Sequence, residues 1–65
     1  MNDEYLKKAL EALDGNKNVL VNLAAKRAGE ISRGSRKLVD VKEDTLALDV
    51  ALLEIAEGKV TYKVN

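Results

Sequence analysis

Apolar residues recur every three or four positions in three stretches of this chain, a spacing that places them on one face of a helix. The pattern predicts a first helix over residues 3–13 and a second that follows Asn16 and ends at Gly34. A third helix is predicted over residues 45–57. The tail, residues 59–64, alternates between apolar and polar side chains, which is typical of an extended segment. The sequence therefore predicts an all-α fold, a small bundle of about three main helices with an extended C-terminal tail.

Residues that favour helix starts and helix ends support these three predictions. Asn2 or Asp3 can cap the first helix, Asn16 can cap the second, and Asp44 or Thr45 can cap the third. A glycine follows each helix, where the left-handed C′ conformation would end it. These glycines are Gly15, Gly34 and Gly58.

The third predicted helix is the most hydrophobic, and its apolar arc is wider than one small neighbour would cover. Either both other helices pack on this arc, or part of it faces another protein. A similar choice applies to Leu38, Val39 and Val41 in residues 35–44, the segment predicted to connect the second and third helices. These apolar side chains can fold back onto the core or dock on a partner. Gly29 inside the second helix should cost about 1 kcal/mol relative to alanine. We interpret Gly29 as a tolerated surface glycine rather than a site of close backbone approach.

The length and charge of the chain narrow the possible functions. Sixty-five residues predict one domain over residues 1–65. Eleven basic and eleven acidic residues cancel, which argues against a free-standing nucleic-acid or membrane-surface binder. The longest apolar runs are far shorter than the roughly 20 residues of a membrane span, and the start of the sequence does not resemble a secretory signal. We therefore expect a soluble, cytoplasmic protein.

The side chains needed for most catalysis and metal binding are missing from the sequence. The chain has no His and no Cys, so the commonest general base and the thiol nucleophile are both lacking. The acidic group Asp40, Glu43 and Asp44 lacks the glycine-punctuated spacing of a calcium loop, and no glycine-rich phosphate loop is present. We expect no catalytic residue, no metal and no cofactor, and we predict that the protein is not an enzyme.

One alternative is a small helical DNA-binding or adaptor protein. Residues 23–29 loosely resemble the first helix and turn of a helix-turn-helix unit, in which Gly29 would make the turn. The recognition helix would then fall on residues 32–40, which contain another glycine and few helix formers. The apolar stripe of the second helix also continues through Gly29, so this signal is weak.

Three motifs, in order and at the right spacing, resemble the omega subunit of bacterial RNA polymerase. The first is Asn-Lys-Asn-Val-Leu-Val-Asn-Leu-Ala-Ala-Lys-Arg-Ala at residues 16–28, with Ile-Ser-Arg-Gly following at 31–34. Leu-Val-Asp at residues 38–40 comes next, and Ala-Leu-Leu-Glu-Ile-Ala-Glu-Gly-Lys-Val occupies residues 51–60. The resemblance covers roughly residues 16–62, most of the chain.

This resemblance implies a non-catalytic subunit that clamps the largest (β′) subunit of the polymerase and promotes its folding and core assembly. It implies no cofactor, no direct contact with nucleic acid and no membrane. Arg27 is expected to reach a β′ carboxylate while its stem lies on apolar surface, and Arg33 is expected to complement the helix dipole in solvent. The residues expected to bind the partner are Leu20, Leu23, Arg27, Arg33, Leu38, Val39, Leu52 and Ile55.

The chain departs from the omega pattern at a few positions. Lys37 stands where family members often carry a proline, Gly29 stands where a long side chain is common, and residues 43–49 match poorly. Some members use a Met-Ala-Arg start to help bind the alarmone guanosine tetraphosphate. This sequence begins Met-Asn-Asp, with an acid near the position of the phosphate-binding arginine, so that site is not carried over.

Overall fold

The computed structural model describes residues 2–60 and contains three α-helices within that range. Helix α1 spans Asp3–Ala12, α2 spans Lys17–Ser32 and α3 spans Ala47–Ala56, and no strand occurs between residues 2 and 60. The prediction of an all-α bundle of three helices is confirmed. Most of the predicted extended tail falls on residues 61–65, which lie outside the described part of the chain.

The first two helices begin at the predicted caps. The Asn2 side chain accepts hydrogen bonds from the backbone N–H groups of Glu4 and Tyr5, at 3.0 and 3.2 Å. The Asn16 side chain accepts one from the N–H of Val19 at 3.1 Å. Each asparagine thereby satisfies backbone donors that have no partner inside the helix.

The prediction for the start of α3 was wrong. Its N-cap is Leu46, which has no side-chain oxygen to accept a hydrogen bond, rather than Asp44 or Thr45. The N–H of Thr45 instead donates to the carbonyl of Lys42 at 3.0 Å, closing a turn just before the helix. The helix therefore begins two residues later than predicted, at Ala47.

Two of the three helices have the predicted glycine at the C′ position, and α1 does not. Gly34 and Gly58 occupy C′ of α2 and α3 with φ of 104° and 74°. At the end of α1 the C′ residue is Asp14, with φ of 56°, and Gly15 comes one position later. The Gly15 N–H donates to the carbonyl of Leu10 at 2.9 Å, which completes a Schellman motif. Aspartate can replace glycine at C′ because its short polar side chain tolerates the left-handed region.

Helix α3 is the centre of the fold. Helices α1 and α2 both pack mainly on α3 and touch each other only slightly, so both neighbours pack on the wide apolar arc of α3. The α1 and α3 starts are joined directly, since the backbone N–H of Asn2 donates to Oδ1 of Asp49 at 2.8 Å. The fully buried apolar residues are Ala9, Leu20, Ala24, Val50, Ala51, Leu52 and Ile55.

Helix α2 runs without interruption through Gly29. Among residues 2–60, the three atoms nearest to a Cβ added at Gly29 all belong to the Arg33 guanidinium, whose Nη1 would lie 3.3 Å away. This is the flexible end of a side chain rather than backbone, as expected for a tolerated glycine.

None of the helices formed by residues 2–60 combines the length and the apolar character needed to cross a bilayer.

Candidate partner-binding site

Glu54 is a fully buried carboxylate in the most hydrophobic helix, with 0 % of its surface exposed. Nε of Arg27 donates to its Oε1 at 2.5 Å, and Nη2 of Arg27 donates to its Oε2 at 3.3 Å. The backbone N–H of Leu38 donates to Oε2 at 2.8 Å. Both carboxylate oxygens are therefore hydrogen-bonded, as burial of a charge requires.

Arg27 makes further hydrogen bonds with the same guanidinium, and only 12 % of its side chain is exposed. Nη2 donates to the carbonyl oxygen of Arg36 at 2.6 Å, and Nη1 lies 3.3 Å from Oε1 of Glu30, one turn along α2. The hydrogen bond to Glu54 raises the pKa of Arg27 above its usual value, outweighing the opposing effect of burial. Arg27 thus stays positively charged opposite Glu54.

The Arg27–Glu54 pair joins three parts of the fold: α2, α3 and the connector of residues 33–46. A buried ion pair by itself is weak evidence for stability, because removing two charges from water offsets much of their attraction. Here the pair also satisfies two backbone groups of the connector, the carbonyl of Arg36 and the N–H of Leu38. Its clearest structural effect is therefore to fix the path of the connector across α2 and α3.

The eight residues expected to bind the partner do not form one exposed surface. Leu20, Leu52 and Ile55 are almost fully buried core residues. Leu23 and Val39 are half-buried, whereas Arg33 and Leu38 are exposed. The structure does not test partner binding by any of them, which stays a prediction.

The Arg27 guanidinium has partners within its own chain: Glu54, Glu30 and the carbonyl of Arg36. The expected contact with a β′ carboxylate is not tested by this structure and stays a prediction. The prediction that the Arg27 stem lies on the apolar stripe identified the face of α2 that packs on α3. It did not anticipate that α3 places an acid, Glu54, opposite Arg27.

Sequence reasoning missed two residues that shape the candidate site. Val21 was not among the residues expected to bind the partner, yet its side chain is 64 % exposed. Glu54 was not identified as the hydrogen-bond partner of Arg27 and of the Leu38 N–H. A signal for it did exist, since it is the single charged residue within the run from Val50 to Ala56.

An apolar groove opens beside Val21, between the three helices. It encloses about 200 Å³ and is bounded by residues from α1, α2 and α3. Its walls contain only apolar side chains, which is uncommon for a surface feature and typical of binding grooves. The lining residues are Leu6, Leu20, Val21, Ala24, Ala25, Leu48 and Leu52.

The geometry does not supply a helix-turn-helix unit. The turn expected at Gly29 is inside the continuous helix α2, and no helix begins between residues 33 and 46. The recognition helix proposed for residues 32–40 is thus not formed, and this basis for the DNA-binding alternative was wrong. Across residues 2–60, no cluster of three or more potential metal ligands occurs either.

The sequence matches the RNA polymerase Rpb6 family over residues 13–62. It is 38 % identical to the DNA-directed RNA polymerase subunit omega of Sulfurovum sp., covering 97 % of this chain and 94 % of that protein. The omega subunit of Heliobacterium modesticaldum is 41 % identical, with 97 % and 90 % covered. That of Campylobacter jejuni is 40 % identical, with 94 % and 84 % covered. No solved structure matches the chain significantly.

The chain therefore belongs to the omega subunit family of DNA-directed RNA polymerase. Members of this family are accessory subunits of the transcription enzyme, so the chain is a non-catalytic part of that complex. This confirms the resemblance read from residues 16–62.

Proposed function

We propose that this chain clamps the largest (β′) subunit of RNA polymerase in the cytoplasm and promotes its folding and assembly into core enzyme. The observation that carries this proposal is the all-apolar groove beside the exposed Val21 in a chain of the omega family. A groove of this kind buries apolar surface when a partner segment enters it, which is the main favourable term in protein association.

A clamp can promote assembly without any chemistry. If the chain binds folded β′ and not the unfolded subunit, mass action shifts β′ towards its folded form. The same interaction covers apolar surface on β′ that would otherwise favour aggregation during folding.

The direct test is co-expression of β′ with and without this chain. We expect a larger soluble fraction of β′ when the chain is present, and capture of β′ with the tagged chain in about a one-to-one ratio. An unchanged soluble fraction together with no capture of β′ would reject the clamp. Retention of duplex DNA by the chain in the absence of polymerase would instead support the DNA-binding alternative.

Val21→Asp should weaken association with β′ by about tenfold or more, because it places a charge on the rim of the apolar groove, where desolvation is costly. The matched control is Asn22→Asp, which adds the same charge to the next exposed residue, about 100° around α2. The affinities of both variants for β′ should be measured by titration. Equal losses in the two variants would assign the effect to charge alone and argue against the groove.

Arg27→Ala should weaken β′ association clearly, and Arg33→Ala should do so less. Arg27 holds Glu54 and the carbonyl of Arg36 together, whereas Arg33 is exposed at the end of α2. Titration of β′ with each variant, alongside retention of duplex DNA, checks this order. Wild-type β′ binding by both variants combined with lost DNA retention would contradict the predicted role of Arg27 in β′ association and would support the DNA-binding alternative.

A further inference from the structure

We infer that Arg27 and Glu54 are positioning residues whose buried pair holds the backbone of residues 36–38 so that the Leu38 side chain is presented to the polymerase subunit. This inference rests on the proposed function, because it assigns the connector as part of the β′-binding surface. It assigns to the Arg27–Glu54 ion pair a role that β′ binding by the chain does not by itself require.

Hydrogen bonds to Arg27 and Glu54 hold the backbone of the connector at two points. Arg27 donates to the carbonyl of Arg36 at 2.6 Å, and Glu54 accepts from the N–H of Leu38 at 2.8 Å. Within residues 2–60, these are the hydrogen bonds made by the backbone between residues 36 and 41. The path of this segment therefore depends on the two members of the pair, one at each end of a three-residue stretch.

The Leu38 side chain is exposed even though its backbone is anchored to the buried pair. Leu38 is 46 % exposed although its own N–H is tied to a fully buried carboxylate. The next residue, Val39, is half-buried. The backbone is thus anchored inward while an apolar side chain points outward, an arrangement that reduces the entropy lost when a partner binds that side chain.

The charges around Leu38 indicate what kind of partner segment would bind there. Residues 33–40 carry three basic residues, Arg33, Arg36 and Lys37, and one acid, Asp40. Among residues 2–60, none of the three cations forms an ion pair. An exposed leucine bordered by uncommitted cations is complementary to an acidic, amphipathic segment, and we assign such a segment of the polymerase subunit as its partner.

Limited trypsin digestion tests the anchoring without any partner. Trypsin cleaves after Arg36 and Lys37 in the connector and after Lys7 and Lys8 in α1. Glu54→Gln should accelerate connector cleavage at least about tenfold, because local opening governs proteolysis when cleavage is slow relative to reclosing. Cleavage in α1 should change much less. Equal acceleration at both places would indicate global unfolding and would overturn the positioning role.

A double-mutant cycle tests whether the pair acts through Leu38. Leu38→Ser should weaken β′ association by about tenfold, as expected for one apolar anchor of an interface. Glu54→Gln alone should weaken it several-fold, but adding Glu54→Gln to Leu38→Ser should cause little further loss. In the control cycle, Glu54→Gln and Val21→Ser should add, because Val21 is not part of this hydrogen-bond network. A purely structural role for Glu54 would make its effect additive in both cycles.

The conservative variant Arg27→Lys provides a second route if Glu54→Gln does not fold. Lysine keeps the charge but lacks the planar fork that reaches both Glu54 and the Arg36 carbonyl. It should release the connector to trypsin and should also be non-additive with Leu38→Ser. Each affinity should be measured below the unfolding temperature of the variant concerned.

The assignment of an acidic partner segment is tested separately, with β′ and duplex DNA as the two probes. Arg36→Ala should lower the affinity for β′ at low salt, and this difference should shrink as salt is added. The control Lys7→Ala, an exposed cation on α1, should have little effect. Binding of duplex DNA that depends on Arg36, without an effect on β′, would replace the protein segment by nucleic acid and overturn the assignment.

The outcomes separate this inference from the proposed function. If wild-type chain binds β′ but the Leu38 cycle is additive, or connector cleavage is unchanged, the positioning role fails and the clamp stands. If wild-type chain does not bind β′, the clamp fails and the presentation of Leu38 fails with it.

Discussion

Glu54→Ala should destabilise the fold by about 3–5 kcal/mol, the usual cost of removing one partner from a buried ion pair. The variant leaves the mostly buried Arg27 without its main counter-charge, and it leaves the Leu38 N–H without an acceptor. A chain of 65 residues is expected to have a stability of only roughly 3–10 kcal/mol. We therefore expect the variant to be partly or wholly unfolded at room temperature, as measured by helical circular dichroism during urea denaturation.

Two further variants serve as comparisons for Glu54→Ala. Glu11→Ala removes an exposed acid from α1 and should change the free energy of unfolding by no more than about 0.5 kcal/mol. Combining Glu54→Leu with Arg27→Met removes both charges, so the double variant should be more stable than Glu54→Ala. If Glu54→Ala unfolds at the same urea concentration as Glu11→Ala, the pair does not contribute as the structure indicates.

Leu52→Ala should cost about 2–5 kcal/mol, the range for truncating a buried leucine. Leu52 is 1 % exposed and lies in the cluster that joins all three helices through Ala9, Leu20 and Ala24. Its removal leaves a cavity within the cluster shared by all three helices, which adds to the lost transfer free energy. Urea denaturation should show a lower midpoint with a similar slope if the variant still folds cooperatively.

The matched control for Leu52→Ala is Leu46→Ala, which makes the same truncation at the start of α3. Leu46 is 64 % exposed, so this change should alter the free energy of unfolding by no more than about 0.5 kcal/mol. Equal losses for the two leucines would show that the core is not where the structure places it.

The helices were largely predictable because their signals are local. Asn2 and Asn16 cap α1 and α2 as expected, and Gly34 and Gly58 end α2 and α3. The cap of α3 was not predictable in this way. Asp44 and Thr45 both suit an N-cap, but the Thr45 N–H donates to the carbonyl of Lys42, so these residues form a turn and the helix begins after it.

The partner-binding residues were less predictable, because periodicity identifies a face but not what covers it. Leu20, Leu52 and Val21 all lie on apolar faces by pattern, yet the first two are buried and Val21 is largely exposed. The arc of α3 could equally have faced another protein. Only the packing of α1 and α2 against it decides that most of the arc is internal.

By itself, the sequence determined the helical class, the number of helices and the membership of the omega family, since these depend on spacing and on motifs within short stretches. Only the tertiary structure decided the role of Arg27, whose partner Glu54 is 27 residues away. Neither residue shows from its neighbours in the chain that the other will be within hydrogen-bonding distance. A buried charge must find a counter-charge wherever the fold supplies one, and that choice belongs to the packing of α2 on α3 rather than to any local pattern.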